Sequence, residues 1–228
     1  MIIHTLKGVL LAVALFASAA FCEVSYGSLT DARDGKTYKT VKIGSQTWMA
    51  ENLNYEYGID KTYGTVVGNQ MLLKTAKNGL CGCYDNAPAN CRKYGRLYTW
   101  AAAREACPAG WHLPSDAEWD ALKRFVAGSL FGGETDSAGY ALKSESGWEE
   151  NEGKRGGSDA VGFVALPAGF RYGDGTFDGV LELAYFWGST ENGAIYAYYR
   201  YLSCSGTDLS TDVDYKARAM SVRCVKDS

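Results

Sequence analysis

Apolar residues recur at helical spacing after position 115, where Trp119, Leu122, Phe125 and Val126 fall on one face of a helix running to about Ala127. Its start is marked twice. Ser115 can accept a hydrogen bond from an otherwise unpaired N–H of the first turn, and Glu118 can reach back to the Ser115 N–H, completing a capping box. Asp116 and Glu118 also bring negative charge to the positive end of the helix dipole. The spacing therefore predicts a helix whose apolar face, Trp119 included, packs on the core. A shorter helix is expected over 99–106, with Thr99 as its cap.

Strand patterns flank these helices. Residues 37–43 form a run rich in Tyr, Thr and Val, Gly44-Ser45 supplies a two-residue turn, and 46–49 return. This predicts a hairpin with Val41, Ile43 and Trp48 buried. Strand-like runs reappear at 170–172, 184–190, 195–202 and 219–225. Residues 20–30 carry no committed pattern and read as a lead-in segment. Residues 56–80 read as an extended loop or insertion, with one short apolar patch at Met71-Leu72-Leu73. The segment 81–91 is rich in turns and would be closed well by a Cys83–Cys91 bridge. Gly- and Ser-rich connections follow at 128–139 and 151–160. Two helices in the first half and short strands afterwards give an α+β fold class, and with no internal repeat or Pro-rich linker a single domain is the simplest organisation.

Composition sharpens this in three ways. The 228 residues, 46% hydrophobic, suffice for a sizeable core. A net charge of -3 offers no basic excess to neutralise phosphates, which argues against nucleic acid as a partner. The start of the chain reads as an export signal over 1–19: His4 and Lys7 precede an apolar run from Gly8 to Phe16, and Ala17-Ser18-Ala19 supplies a small-residue cleavage pattern. That run is too short for a membrane span. The rival reading, a lipoprotein signal acylated at Cys22, is disfavoured by Phe21. The expectation is a secreted or cell-surface protein.

Export changes the meaning of the cysteines. Apart from Cys22, six remain: Cys81, Cys83, Cys91, Cys107, Cys204 and Cys224. An even number in an exported chain is read as a disulfide framework, with fifteen connectivities open to the sequence alone.

Several segments, taken in order, carry a family resemblance. They are Asp34-Gly35-Lys36-Thr37-Tyr38, Ile43-Gly44-Ser45-Gln46-Thr47-Trp48-Met49-Ala50-Glu51-Asn52-Leu53-Asn54 and Tyr94-Gly95-Arg96-Leu97-Tyr98-Thr99-Trp100. Cys107-Pro108-Ala109-Gly110-Trp111-His112-Leu113-Pro114-Ser115, Gly162-Phe163 with Leu166-Pro167-Ala168-Gly169, and Ser221-Val222-Arg223-Cys224 complete the set. As a set they resemble the Fibrobacter succinogenes major paralogous domain over about residues 31–227. Leu113-Pro114-Ser115-Asp116-Ala117-Glu118-Trp119 and Val222-Arg223-Cys224 also look like pieces of formylglycine-generating-enzyme domains. The resemblance implies an exported protein with a variant of the C-type-lectin-like fold: two helices around a small twisted antiparallel sheet, with long loops. It also implies that Cys107 pairs with Cys224. Gly188 departs from the serine usual there, and Cys81 and Cys204 look like extras.

The residues offer little catalytic chemistry. His112 is the one histidine beyond the signal, so a multi-histidine zinc site within one chain is excluded, and a packed or hydrogen-bonded structural role is expected for it. No acidic pair is singled out for glycoside hydrolysis. Cys81-Gly82-Cys83 could in principle hold a soft metal, but disulfides are the favoured fate in an exported chain. Calcium is the cofactor to consider, through loop aspartates Asp174, Asp178, Asp208, Asp212 and Asp214, with solvated turn residues the favoured reading. The candidate ligand-binding residues are Tyr196, Tyr198, Tyr199 and Tyr201, whose rings could stack on sugars. Strand alternation would put Tyr196 and Tyr198 on one face and Tyr199 and Tyr201 on the other. The function expected is therefore a non-catalytic binding or surface-display module for carbohydrate or a cell-surface protein. The alternative is a copper- or thiol-dependent oxidoreductase related to formylglycine-generating enzymes.

Overall fold

The computed structural model describes residues 24–57, 80–150 and 156–228, so the expected signal, Cys22 and nearly all of the 56–80 insertion lie outside the described residues. Strand β1 (Ser25–Thr30) pairs antiparallel with β2 (Thr37–Ile43), which turns through Gly44-Ser45 into β3 (Gln46–Met49). The hairpin has the expected boundaries, and Val41, Ile43 and Trp48 are buried. β1 differs from the patternless lead-in expected of 20–30. It is an edge strand exposed on both faces, so no hydrophobic alternation marks it.

Next come β4 (Cys81–Gly82), α1 (Pro88–Tyr94), β5 (Leu97–Thr99), α2 (Trp100–Ala106), β6 (Trp111–His112) and α3 (Asp116–Leu130). α4 (Ala138–Leu142) precedes a run of strands: β7 (Ala168–Arg171), β8 (Phe177–Val180), β9 (Leu183–Asn192), β10 (Tyr196–Ser203), β11 (Ser210–Tyr215), β12 (Ala219–Met220) and β13 (Val225–Lys226). The class is α+β, but with four α-helices among the described residues rather than two, and two sheets rather than one small one. The first sheet runs β1-β2-β3-β13-β6, every pairing antiparallel. The second runs β11-β10-β9-β7-β12-β5-β4, with β8 branching from β7 and a parallel contact between β7 and β9.

The closing strand β13 inserts between β3 and β6, so Val225 lies opposite both Trp48 and His112. A disulfide between Cys107, just past α2, and Cys224 locks that insertion, and a second joins Cys83 to Cys91 of α1. Cys81 and Cys204, expected in the framework, are instead free and buried. Each sits in a different hydrophobic cluster, which leaves neither a thiol partner.

Helix α3 carries both halves of the capping box: the Glu118 N–H donates to the Ser115 hydroxyl at 3.3 Å, and the Ser115 N–H donates to the Glu118 carboxylate at 2.7 Å. Trp119, Leu122 and Val126 are buried, and Trp119 meets Trp48, Phe163 and Phe186 at centroid distances of 4.7, 6.0 and 5.7 Å. Aromatic pairs of this kind contribute about 0.5–1.5 kcal/mol each beyond their buried area. Phe125 corrects the periodicity reading, because it is 37% exposed. It lies over the hairpin turn, where any side chain on Gly44 (φ 61°) would come within 2.8 Å of its ring. Thr99 starts α2 without capping it; its hydroxyl instead accepts the Leu80 N–H at 2.8 Å.

Candidate functional site

The second sheet carries a group of aromatic rings on one face. Tyr201 of β10 pairs with Tyr185 of β9, and Tyr199 with Trp187, so these four side chains share one face. Trp187 and Tyr199 are buried against α2 residues, whereas Tyr185 and Tyr201 are half-buried. The Tyr185 ring stacks on Phe170 of β7 at 4.8 Å and 6°, and lies 5.7 Å from Tyr201. Tyr172 continues the group, 4.9 Å from Phe170.

Charge rims the same rings. The Arg218 guanidinium lies 4.6 Å over the Tyr172 ring and 5.4 Å from Phe170, and forms an ion pair with Asp214 of β11. The Tyr172 hydroxyl donates to Asp178 at 3.3 Å. Burial raises the Asp214 carboxyl above its ordinary range, against the lowering effect of the Tyr215 N–H and Arg218. Burial, the neighbouring Tyr185 and nearby aspartates push the Tyr199 hydroxyl far up, so it stays neutral. Half-exposed ring faces beside fixed hydrogen-bonding groups can hold a ligand with both apolar C–H faces and hydroxyls.

The four candidate tyrosines therefore divide as alternation requires, with Tyr199 and Tyr201 in this group and Tyr196 and Tyr198 outside it. Tyr196 packs on Tyr215 at the sheet's edge, 4.7 Å between centroids. Tyr199 is 6% exposed, so it supports the surface rather than forming it. Tyr185, Tyr172 and Arg218 belong to the site but escaped the sequence reading. They come from separate strands and a turn, and the available signals were the strand-like runs at 170–172 and 184–190, with none for Arg218.

Other candidates resolve into local structure. His112 Nδ1 lies 2.6 Å from Asp227 and Nε2 2.8 Å from Glu118, so the histidine joins β6, the α3 cap and the segment after β13. On the other side of β10, buried Arg200 is ion-paired with Asp116 and Asp120 of α3, which ties the helix to that strand. The loop aspartates each engage a neighbour instead of a common centre: Asp174 accepts from Thr176, Asp178 from Tyr172, Asp212 from the Val213 N–H, while Asp208 pairs with Lys123 and Asp214 with Arg218. Cys83 is consumed by its disulfide, which removes the Cys81-Gly82-Cys83 metal reading. Burial raises the Cys81 thiol, only partly offset by the Arg96 charge, and the thiol donates to the Tyr57 carbonyl at 3.2 Å.

Compared with known families, residues 41–226 match the Fibrobacter succinogenes major domain. The chain belongs to that family. Comparison with curated proteins and with solved structures returned no match. Several of the motif segments meet in this chain at one buried side chain. Arg223 is fully buried; its Nε donates to Asn52 Oδ1 at 2.6 Å, Nη1 to the Met49 and Phe163 carbonyls, and Nη2 to the Val164 carbonyl at 2.7 Å. Asn52 in turn donates to the Tyr94 carbonyl at 2.8 Å. One guanidinium thus gathers the Asn52-Leu53, Gly162-Phe163 and Val222-Arg223-Cys224 segments. Gly162 (φ 71°) lies so close to β1 that a side chain there would meet the Tyr26 hydroxyl at 2.6 Å. Motif residues in this family domain hold the scaffold together, while the aromatic surface lies outside them.

Proposed function

We propose that this protein is an exported, non-catalytic binding module of C-type-lectin-like architecture, and that it engages carbohydrate through the surface around Tyr172, Tyr185 and Tyr201. The observation that carries the reading is the half-exposed aromatic group rimmed by Arg218, Asp214 and Asp178. Sugars present apolar C–H faces that stack on rings and hydroxyls that accept from guanidinium and donate to carboxylate. Two disulfides support an oxidising, extracellular setting, and among the described residues no helix is long and apolar enough to cross a membrane.

The oxidoreductase alternative draws less support, because Cys81 and Cys204 are buried in separate clusters and Cys81 is held as a thiol. Retention of the purified protein on cellulose, hemicellulose or a glycan array tests the proposal. Binding to one of them supports it; no retention on any removes the carbohydrate reading in favour of a protein partner.

A further inference from the structure

Three side chains with metal-ligating chemistry converge far from one another in sequence: Glu149, Glu182 and Cys204. One carboxylate oxygen of each glutamate and the Cys204 sulfur all lie within 4.8 Å of one another. The backbone fixes their approach. The Glu149 N–H donates to the Leu181 carbonyl at 2.7 Å, the Glu182 N–H to Gly179 at 3.1 Å in the turn between β8 and β9, and the Cys204 N–H to the Glu182 carbonyl at 2.8 Å. The segment after α4, the β8–β9 turn and the end of β10 are thereby sewn together at this point.

A second feature concerns the thiol. Cys204 is 2% exposed, closes no disulfide, and its sulfur makes no hydrogen bond to any described residue. A cation at the point where the three side chains converge would take the sulfur together with one oxygen of each carboxylate. We infer that Glu149, Glu182 and Cys204 bind a divalent cation of borderline softness, with zinc the best match.

The donor set selects the ion. Calcium and magnesium take oxygen ligands and do not favour a thiolate, while zinc accepts sulfur and carboxylate oxygen together. Around a tetrahedral zinc, donor atoms lie about 3.4–3.6 Å apart, so the three side chains must draw in by roughly 1 Å, well within the reach of two flexible glutamates. The fourth position falls to water, and Glu182 is exposed, which opens a path from solvent. On binding, the Cys204 S–H bond breaks, a Zn–S bond forms, and the proton leaves to solvent; two carboxylates and one thiolate displace all but one of the waters of the hydrated ion. Cys204 is a departure from the family pattern, so the site would be a property of this chain.

Titration of the full chain with cobalt(II), a spectroscopic substitute for zinc, tests this. The inference expects one cobalt–thiolate charge-transfer absorption per chain, displaced by zinc, retained in Cys81→Ser and lost in Cys204→Ser. Glu182→Gln, at an exposed position that leaves the core intact, should weaken cobalt binding about tenfold or more. The inference is overturned if no such absorption develops, if it survives Cys204→Ser, or if Glu182→Gln binds as tightly as the parent. Should Cys204→Ser fail to fold, Glu182→Gln and Glu149→Gln decide the matter through the same absorption.

Discussion

The Nε2 atom of His112 lies 2.8 Å from Oε1 of Glu118, the residue that closes the capping box of α3. Its Nδ1 faces Asp227 at 2.6 Å, so both ring nitrogens meet carboxylate acceptors, an arrangement that only the imidazolium fully satisfies. Partial burial pulls the His112 pKa down, but the hydrogen bonds to Asp227 and Glu118 outweigh it and leave a net rise above 6.5. Burial likewise raises Glu118, yet the Ser115 N–H and hydroxyl and His112 bring it net below 4.5.

The signs give a window. A raised histidine contributes stability that is fully present below its unfolded value and fades as pH rises through the folded one. A lowered carboxylate contributes stability present above its unfolded value and lost as pH falls. This latch therefore acts most strongly between about pH 4.5 and 6.5. Thermal melts of wild type and His112→Gln should differ most near pH 5.5 and converge by pH 9; an equal difference at both pH values would show that the imidazolium is not the active form.

The two disulfides should not be equivalent. Cys107 and Cys224 are 117 residues apart in sequence, and Cys83 and Cys91 are 8 apart. Loop-closure entropy assigns about 5 kcal/mol to the longer loop and about 2–3 kcal/mol to the shorter. In denaturant titrations Cys107→Ser/Cys224→Ser should lose more stability than Cys83→Ser/Cys91→Ser, and release of β13 from between β3 and β6 should expose Trp48 fluorescence to quencher.

Arg223 is expected to resist even conservative replacement. Lysine carries a single nitrogen and cannot serve Asn52 and three carbonyls at once, so Arg223→Lys leaves buried acceptors unpaired at about 1–3 kcal/mol each. A loss of at least ~3 kcal/mol by chemical denaturation is the expected result. The same network holds Val164 in the left-handed region (φ 51°), where its N–H donates to Asp159 and its carbonyl accepts from Arg223. Val164→Gly should accordingly be tolerated far better than Arg223→Lys when the two are compared in the same titration.

Much of the scaffold was legible because its signals are local. The α3 cap needs only Ser115 and Glu118, and the hairpin only the run around Gly44-Ser45; both elements stand where the pattern puts them. Long-range organisation was legible only through the family resemblance, which implied the Cys107–Cys224 bridge. β1 is an edge strand exposed on both faces, β11 is an aspartate-rich edge, and α1 begins at Pro88 inside a segment that reads as turns. Phe125 obeys helical spacing yet serves the turn at Gly44, a contact with no sequence signature. Even-number arithmetic overstated the disulfides, because a cysteine pairs only if the fold brings a second one to it, and Cys81 and Cys204 are enclosed in different clusters. The tyrosine run of β10 supplies Tyr199 and Tyr201 to the aromatic group, but Tyr172, Tyr185 and Arg218 join it only through strand pairing and the turn before β12.

Affinity electrophoresis of wild type, Tyr201→Phe and Tyr201→Ala through gels containing the polysaccharide that retains the protein tests the proposed function most directly. Tyr201→Phe keeps the ring and should migrate like wild type, while Tyr201→Ala should bind about tenfold more weakly, a loss of ~1.4 kcal/mol, at a temperature well below the melting point of all three proteins. Equal retardation of all three proteins would contradict the account, because the sugar would then be held somewhere other than the aromatic surface.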